Sequence, residues 1–305
     1  MDFALPRDIE DIRRRTRDFV DARVLPLEQD RANFDAHENL RIDLVRKLNE
    51  EAKAAGLWAP QAPAEYGGMA LPMVGQAVMY EEANWSIFGP LAFNCAAPDD
   101  GNIRLLSRVG TPEQKTKWLR PIVNGSVRSS FAMTEPAPGG GSDPAMILTR
   151  AERKGDTWVV RGRKWFTTGA GVAAHFILIA RTSDDPRHGL TAFLFHRDQP
   201  GWRIVRRIPI MGPEEHGGHC ELEFDGLEIA DADVLMGVGD GLKVTQIRLG
   251  PARLTHCMRW LGLAKRCVEI AQDYVERREG FGVKLADRES VQIKLGEVAK
   301  EIEIG

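Results

Sequence analysis

Apolar positions recur at helical spacing from the start of the chain to about Arg128. Ile9, Ile12, Phe19 and Val20 make one stripe, and Ile42, Val45, Leu48 and Ala52 make another. Both predict amphipathic helices. Pro26 and the run Trp58-Ala-Pro-Gln-Ala-Pro63 interrupt the pattern. Gly110-Thr-Pro-Glu-Gln114 reads as a helix start. Thr111 is the expected N-cap, Pro112 the first helical residue, and Gln114 the partner in a capping box.

The period changes at Ser129. Thr157–Arg161, Phe176–Ala180 and Leu190–Phe195 are short runs, β-branched or aromatic, bounded by Gly, Asp or Pro. Cys220-Glu-Leu-Glu-Phe-Asp225 alternates strictly, as a half-buried strand does. Such strands at close spacing predict a compact barrel or sandwich. Helical period returns after Gly241, with Cys257, Leu261, Ala264, Val268, Ala271 and Val275 on one face. Pro251 is expected to disturb or kink the beginning of that helix. A second helix carries Val291, Leu295, Val298 and Ile302. Two amphipathic helices do not close a four-helix bundle, because their apolar faces need partners. The divisions expected are 1–128, 129–238 and 239–305.

Composition narrows the class without naming a chemistry. A length of 305 residues suffices for two or three domains. The hydrophobic share of 43% and charged share of 28% are those of a globular protein in water. A net charge of -3 gives no field that would draw the whole surface to nucleic acid or an anionic membrane. No apolar run approaches the ~20 residues of a membrane helix. The N-terminus lacks the apolar centre of a signal peptide. Cys95, Cys220, Cys257 and Cys267 show no CxxC spacing and are expected to be reduced. A cytoplasmic location follows as the expectation.

Two segments attract attention as chemistry. Thr134-Glu-Pro-Ala-Pro-Gly-Gly-Gly-Ser-Asp143 has three consecutive glycines, which let backbone approach a ligand and expose amide donors. A flexible interdomain turn accounts for it equally well. Gly162-Arg-Lys-Trp-Phe-Thr-Thr-Gly169 offers an indole to lie against a planar ring and hydroxyls to bond it. A β-strand with a buried Trp is the plainer reading of that segment alone.

Together, in this order, the segments resemble the acyl-CoA dehydrogenase family. The resemblance rests on Thr134-Glu135-Pro136 with Ser142-Asp143, then Lys164-Trp165-Phe166-Thr167. Gly110-Thr-Pro-Glu-Gln precedes them. Gly239-Asp-Gly-Leu, Arg253, Arg277-Arg-Glu-Gly-Phe-Gly and Val291-Gln292 follow. The loop is two residues longer than the family's usual form, so Ser142 is aligned through an insertion. His216-Gly-Gly-His219 and Arg248-Leu-Gly-Pro-Ala-Arg253 are similar to one subgroup. Its members carry the dehydrogenase module after a kinase-like domain, or stand free in bacteria.

The resemblance implies an α+β fold: an N-terminal helical domain, a central β-barrel, and a C-terminal helical bundle of which two helices are present. It implies FAD as cofactor and α,β-desaturation of an acyl-CoA thioester in fatty-acid or related catabolism. Phe131, Met133 and Thr134 would face the flavin ring, and Trp165, Phe166 and Thr167 would flank its other side. Arg278, Phe281 and Gln292 would hold the FAD of a neighbouring subunit, which implies a homodimer or tetramer. Ser142, Gly250 and Arg253 would contact the acyl-CoA. An electron-transfer flavoprotein is the implied acceptor. The family's catalytic carboxylate matches no acidic residue here and is expected beyond Gly305, so no catalytic residue is nominated and inefficient turnover is expected. Two other classes stay open: a flavin-dependent monooxygenase or oxidase of the same fold, and a non-catalytic remnant. His216 and His219 have HxxH spacing but no evident third ligand, so no metal site is expected. His256-Cys257 are neighbours on a helix and point apart. Arg13-Arg-Arg15 reads as a solvated face.

Overall fold

The amphipathic stripes of the first third fold as helices whose apolar faces share one core. A computed structural model describes residues 4–140, 143–212, 214 and 216–305. The helices are α1 (Arg7–Phe19), α2 (Ile42–Ala54), α3 (Met73–Ala83), α4 (Gly89–Ala92), α5 (Asp99–Val109), α6 (Pro112–Gln114) and α7 (Arg120–Val123). Ile9, Val20, Val45, Leu48 and Ala52 are buried, as their spacing requires. The capping box forms: Thr111 Oγ1 accepts from the Gln114 amide at 3.2 Å, and Gln114 Oε1 accepts from the Thr111 amide at 3.2 Å. The Gln114 side chain also donates to the Ala232 and Val234 carbonyls, at 2.9 Å each, fastening this helix start to the β region.

The central strands are β1 (Arg128–Ala132), β2 (Arg150–Lys154), β3 (Thr157–Thr168), β4 (Ala173–Arg181), β5 (Leu190–His196), β6 (Trp202–Ile208), β7 (His219–Ala230) and β8 (Val234–Leu235). They form one eight-stranded sheet in the order β6-β7-β3-β2-β4-β5-β8, with β1 parallel to β4. The expected barrel is thus a sheet whose hydrogen-bonded path has β6 and β8 as its ends among the described residues. Thr157–Arg161 and the Trp-containing segment after it join into the single strand β3, which shifts register against β7 at Val160/Arg161 and Lys164/Thr167.

Strand β4 shows why its sequence does not alternate. Ile177 and Ile179 pack into the helical core, while Phe176, Leu178 and Ala180 pack into a second core on the opposite face of the sheet. Burial on both faces demands a continuous apolar run. Phe176 stacks on Phe195 at 4.6 Å, and Phe195 meets Phe224 edge-on at 5.9 Å. Strand β7 keeps its alternation because Glu221 and Glu223 face arginines: Arg206 lies 2.7 Å from Glu221, and Arg163 lies 3.0 Å from Glu223.

Two helices follow, α8 (Gly241–Arg277) and α9 (Glu289–Ile304). Helix α8 runs without interruption through Pro251. Its first half buries Val244, Thr245, Arg248, Thr255, Arg259 and Gly262, a stripe that is largely polar. Cys257, expected on the apolar face, is exposed. Gly262 lets α8 approach α3 so closely that a Cβ there would overlap the Glu81 carbonyl. Lys265 pairs with Glu81 at 2.5 Å and Arg266 with Glu28 at 2.6 Å. On α9 no residue is buried: Val291, Leu295 and Ile302 are half-covered and Val298 is 45% exposed. No helix among the described residues is long and apolar enough to cross a membrane.

Candidate active site

The end of β1 and the end of β3 run side by side in opposite directions. Ser130 Oγ donates to the Thr168 carbonyl at 2.7 Å, and the Trp165 amide donates to the Thr134 carbonyl at 2.9 Å. Between these bonds, Lys164 Nζ donates to the Met133 carbonyl at 2.7 Å. The two segments singled out in the sequence are therefore one structural unit, joined through backbone.

A buried ion pair locks that unit. Lys164 is fully buried, and its Nζ lies 2.7 Å from Glu135 Oε1. The Glu135 carboxylate also accepts from the Leu148 amide at 2.7 Å and the Thr149 amide at 2.9 Å. Burial opposes ionisation of Glu135. The Lys164 charge, with hydrogen bonds from Lys164, Thr149 and Leu148, outweighs it and holds the carboxyl below its ordinary range. Burial pushes the Lys164 ammonium down to about 8, against the attraction of Glu135. With both oxygens engaged, Glu135 serves as a clamp for the loop.

The glycines of this loop contribute differently from expectation. A Cβ on Gly139 would collide with Glu135, and one on Gly140 with the Asp143 carbonyl and Met146. The Gly140 carbonyl accepts from the Glu135 amide at 2.7 Å. These two glycines thus permit the loop to pack on itself, and the close approach they allow is to their own chain. Ser142 lies outside the described residues.

On the β3 side, Phe166 has a φ of 46° and is 45% exposed, its ring tilted 68° to that of Trp165. Trp165 Nε1 and Thr167 Oγ1 are buried and have no hydrogen-bond partner among the described residues. A buried polar atom left unpaired costs about 1–3 kcal/mol. Two such atoms, near the end of β3 beside Met133 and Thr134, suit a planar ligand that carries hydrogen-bonding nitrogens and carbonyls.

Beneath β1 lies a polar network that the sequence pattern did not single out. Asp99 accepts from the Ser129 amide at 2.7 Å and the Ser129 hydroxyl at 2.6 Å, and pairs with Arg128. Asn102 donates to Ser129 Oγ at 2.9 Å and accepts from Arg248 Nε at 2.8 Å. Arg248 stacks over the Phe131 ring at 4.2 Å. Asp100 accepts from Thr255 and from Arg259, each at 3.1 Å. One signal was available: Asp99, Asp100 and Asn102 cluster in the first turn of α5, ahead of its apolar residues Ile103, Leu105 and Leu106.

The other expected site residues lie elsewhere. Gly250 and Arg253 sit on α8; Gly250 faces open space, and Arg253 is exposed with no polar partner among the described residues. Arg278, Phe281 and Gln292 lie where α8 turns into α9. Arg278 ends α8, Phe281 is fully exposed, and Gln292 donates to the Ala286 carbonyl at 2.9 Å. No hydrogen bond or ring contact among the described residues joins them to the Thr134–Trp165 unit. The histidines take separate partners. His216 Nε2 meets the Leu40 carbonyl at 2.7 Å, and His219 Nδ1 meets Thr168 Oγ1 at 3.0 Å. A cavity of about 760 Å³ lies between residues 35–49 and the sheet, next to Asp99 and Arg128.

Three family models match in sequence order: the acyl-CoA dehydrogenase N-terminal domain over 6–126, the middle domain over 130–227, and the C-terminal domain over 239–305. FadE2 of Mycobacterium tuberculosis, assigned as an acyl-CoA dehydrogenase, is 36% identical over 99% of this chain and 76% of its own length. The chain belongs to the acyl-CoA dehydrogenase family. Rat acyl-CoA dehydrogenase family member 11 is 35% identical over 95% of this chain, which spans 38% of that protein's length. A solved Mycobacterium abscessus structure assigned to the same enzymes superposes with a TM-score of 0.90 at 32% identity, covering 99% of this chain and 78% of the other. The family is a flavoenzyme family that uses FAD, and the subgroup resemblance seen in the sequence agrees with FadE2 and family member 11 standing among the relatives.

Proposed function

We propose that this chain holds FAD between the Phe131–Thr134 and Trp165–Thr167 segments and presents an acyl-CoA thioester to it for α,β-desaturation. The observation that carries the reading is the pair of unpartnered buried atoms, Trp165 Nε1 and Thr167 Oγ1, beside Thr134. They fit a flavin ring, which offers acceptors to both. When bound, FAD supplies the hydride acceptor of the reaction.

The chain's own residues bind, orient and exclude water. Lys164 and Glu135 fix the Met133 carbonyl and the loop, so that Met133 and Thr134 keep one position. Thr167 offers its hydroxyl to the ring edge, and Trp165 and Phe166 cover it. Gly250 leaves room beside α8, and Arg253 offers a cation without a polar partner among the described residues, which suits the phosphates of CoA; Ser142 would be the third contact by its place in the sequence motif. Arg278, Phe281 and Gln292, on an exposed turn apart from the site, suit the FAD of a second copy in a homodimer or tetramer. Glu135 is not the base, because its oxygens are committed to Lys164 and two amides. The partner that would take up the electrons is an electron-transfer flavoprotein, and the setting is cytoplasmic catabolism of acyl chains.

Purification in excess FAD, then anaerobic addition of an acyl-CoA panel, tests this. The protein should retain FAD, and thioesters should perturb the oxidised flavin spectrum. A folded chain that takes up no FAD overturns the reading. FAD uptake with oxygen consumption and no response to any thioester assigns the fold to oxidase chemistry instead.

A further inference from the structure

We infer that Arg248 sets the redox poise of the flavin carried by the Phe131–Thr134 segment, acting as a fixed positive charge behind that strand. The inference rests on the FAD reading above.

Charge pairing in the buried network is uneven. Arg128 pairs with Asp99, and Arg259 pairs with Asp100. Arg248 is also buried, yet among the described residues no carboxylate lies within ion-pair distance of it. Its bonds go to neutral acceptors, the Asn102 side chain at 2.8 Å and the Pro98 carbonyl at 3.4 Å. Burial lowers its pKa to about 10, with Asp100 and Asp99 opposing, so it is charged at neutral pH. A buried cation without a contacting counter-charge is costly to the resting fold. It becomes favourable when an anion forms nearby in the same low-dielectric region.

Geometry aims that charge at the proposed cofactor segment. The guanidinium lies on the Phe131 ring, and Asn102 connects it to Ser129 on the same strand. Gly101 makes room for it, since a Cβ there would sit 3.2 Å from Arg248 Cζ. A hydride arriving at a neutral flavin brings two electrons and one proton, leaving one net negative charge on the ring. Arg248 transfers nothing. It stabilises that product charge relative to the oxidised ring.

The test uses the full chain loaded with FAD and equilibrated against a redox dye. Relative to wild type, Arg248→Met should favour oxidised flavin about tenfold at a given potential, a fall of ~30 mV for a two-electron couple. Arg248→Lys should stay within threefold of wild type. Asn102→Asp keeps the arginine but supplies a contacting carboxylate, so it should shift the ratio in the same direction as Arg248→Met. This isosteric variant decides the matter where Arg248→Met does not fold. Two results overturn the inference: an unchanged potential in FAD-loaded Arg248→Met or Asn102→Asp, or an Arg248→Lys shift as large as that of Arg248→Met, which would make packing the cause. A wild-type chain that takes up no FAD fails differently, since it removes the functional reading and this inference with it.

Discussion

Removing either member of the Lys164–Glu135 pair should damage the protein unequally. Both side chains are buried, so a lone partner is an uncompensated charge, and breaking such a pair costs about 3–5 kcal/mol. After Lys164→Met, the Glu135 carboxylate still accepts from the Leu148 and Thr149 amides. After Glu135→Leu, Lys164 keeps only the Met133 carbonyl, and those two amides lose their acceptor. Each orphaned amide adds roughly 1–3 kcal/mol. Glu135→Leu should therefore be the worse single change by at least ~1 kcal/mol. The double variant should cost less than the sum of the singles, because an apolar pair carries no desolvation debt. Denaturant unfolding of all four proteins measures this. The pH dependence gives an independent sign. Burial lowers the folded Lys164 ammonium to about 8, below its ordinary value of 10.5, so between those values the unfolded chain binds more protons. The Lys164 contribution to stability is least favourable below 8 and rises with pH through that window. Glu135 is opposite in range: its contribution is present above its ordinary pKa of 4.5 and is lost as acid protonates the folded carboxylate. Lys164→Met should lose the alkaline rise. Additive singles, or Lys164→Met as the more damaging change, would falsify this account of the clamp.

Other changes probe the remaining parts. Thr167→Val removes a hydroxyl that has no partner among the described residues, so the unfolding midpoint without FAD should hold or rise while FAD affinity falls about tenfold, ~1.4 kcal/mol, as read by equilibrium titration. Thr111→Ala deletes one half of the capping box and should cost about 1 kcal/mol in chemical denaturation. Gly262→Ala places a methyl against the Glu81 carbonyl, and should destabilise by about 1–3 kcal/mol by overpacking with a lowered thermal midpoint. Asn102→Ala leaves Arg248 Nε and Ser129 Oγ each without one bond, and should cost about 2 kcal/mol or more in denaturant unfolding.

The sequence was most legible where the determining residues are neighbours. Thr111 and Gln114 specify their helix start locally, and the pattern on α2 puts Val45, Leu48 and Ala52 inside. The apolar run of β4 signals a strand, although its burial on two faces depends on what covers it. Legibility fails where partners are distant or polar. Nothing local to Lys164 says that it pairs with Glu135 at a separation of 29 residues. The buried side of α8 was misplaced because Arg248, Thr255 and Arg259 count as polar in any hydrophobicity pattern, yet Asp100 and Asn102 lie across from them. Pro251 was expected to disturb α8, and the contacts of Arg248 and Thr255 on either side hold the helix through it. The glycine loop was legible as unusual, but its glycines answer to Glu135 and Asp143 of the loop itself.

The strand bearing Phe131, with Met133 and Thr134 directly after it, is fastened at both ends by buried charge. At one end Asp99 and Asn102 hold Ser129; at the other Lys164 holds the Met133 carbonyl and Glu135. Hydrophobic packing alone would position this strand with less stabilisation spent on desolvation. It would not fix backbone carbonyls and amides to one orientation, which directional bonds to buried charges do. The atoms left unpaired, Trp165 Nε1 and Thr167 Oγ1, lie on the segment clamped against that strand. Their desolvation is already incurred in the folded chain, so a ring that satisfies them recovers the interaction without ordering the site first. The same reasoning explains why the two charged clusters lie on either side of the proposed flavin contacts while the contacts themselves stay neutral. Rigidity comes from the charges, and the neutral donors remain free for the ligand.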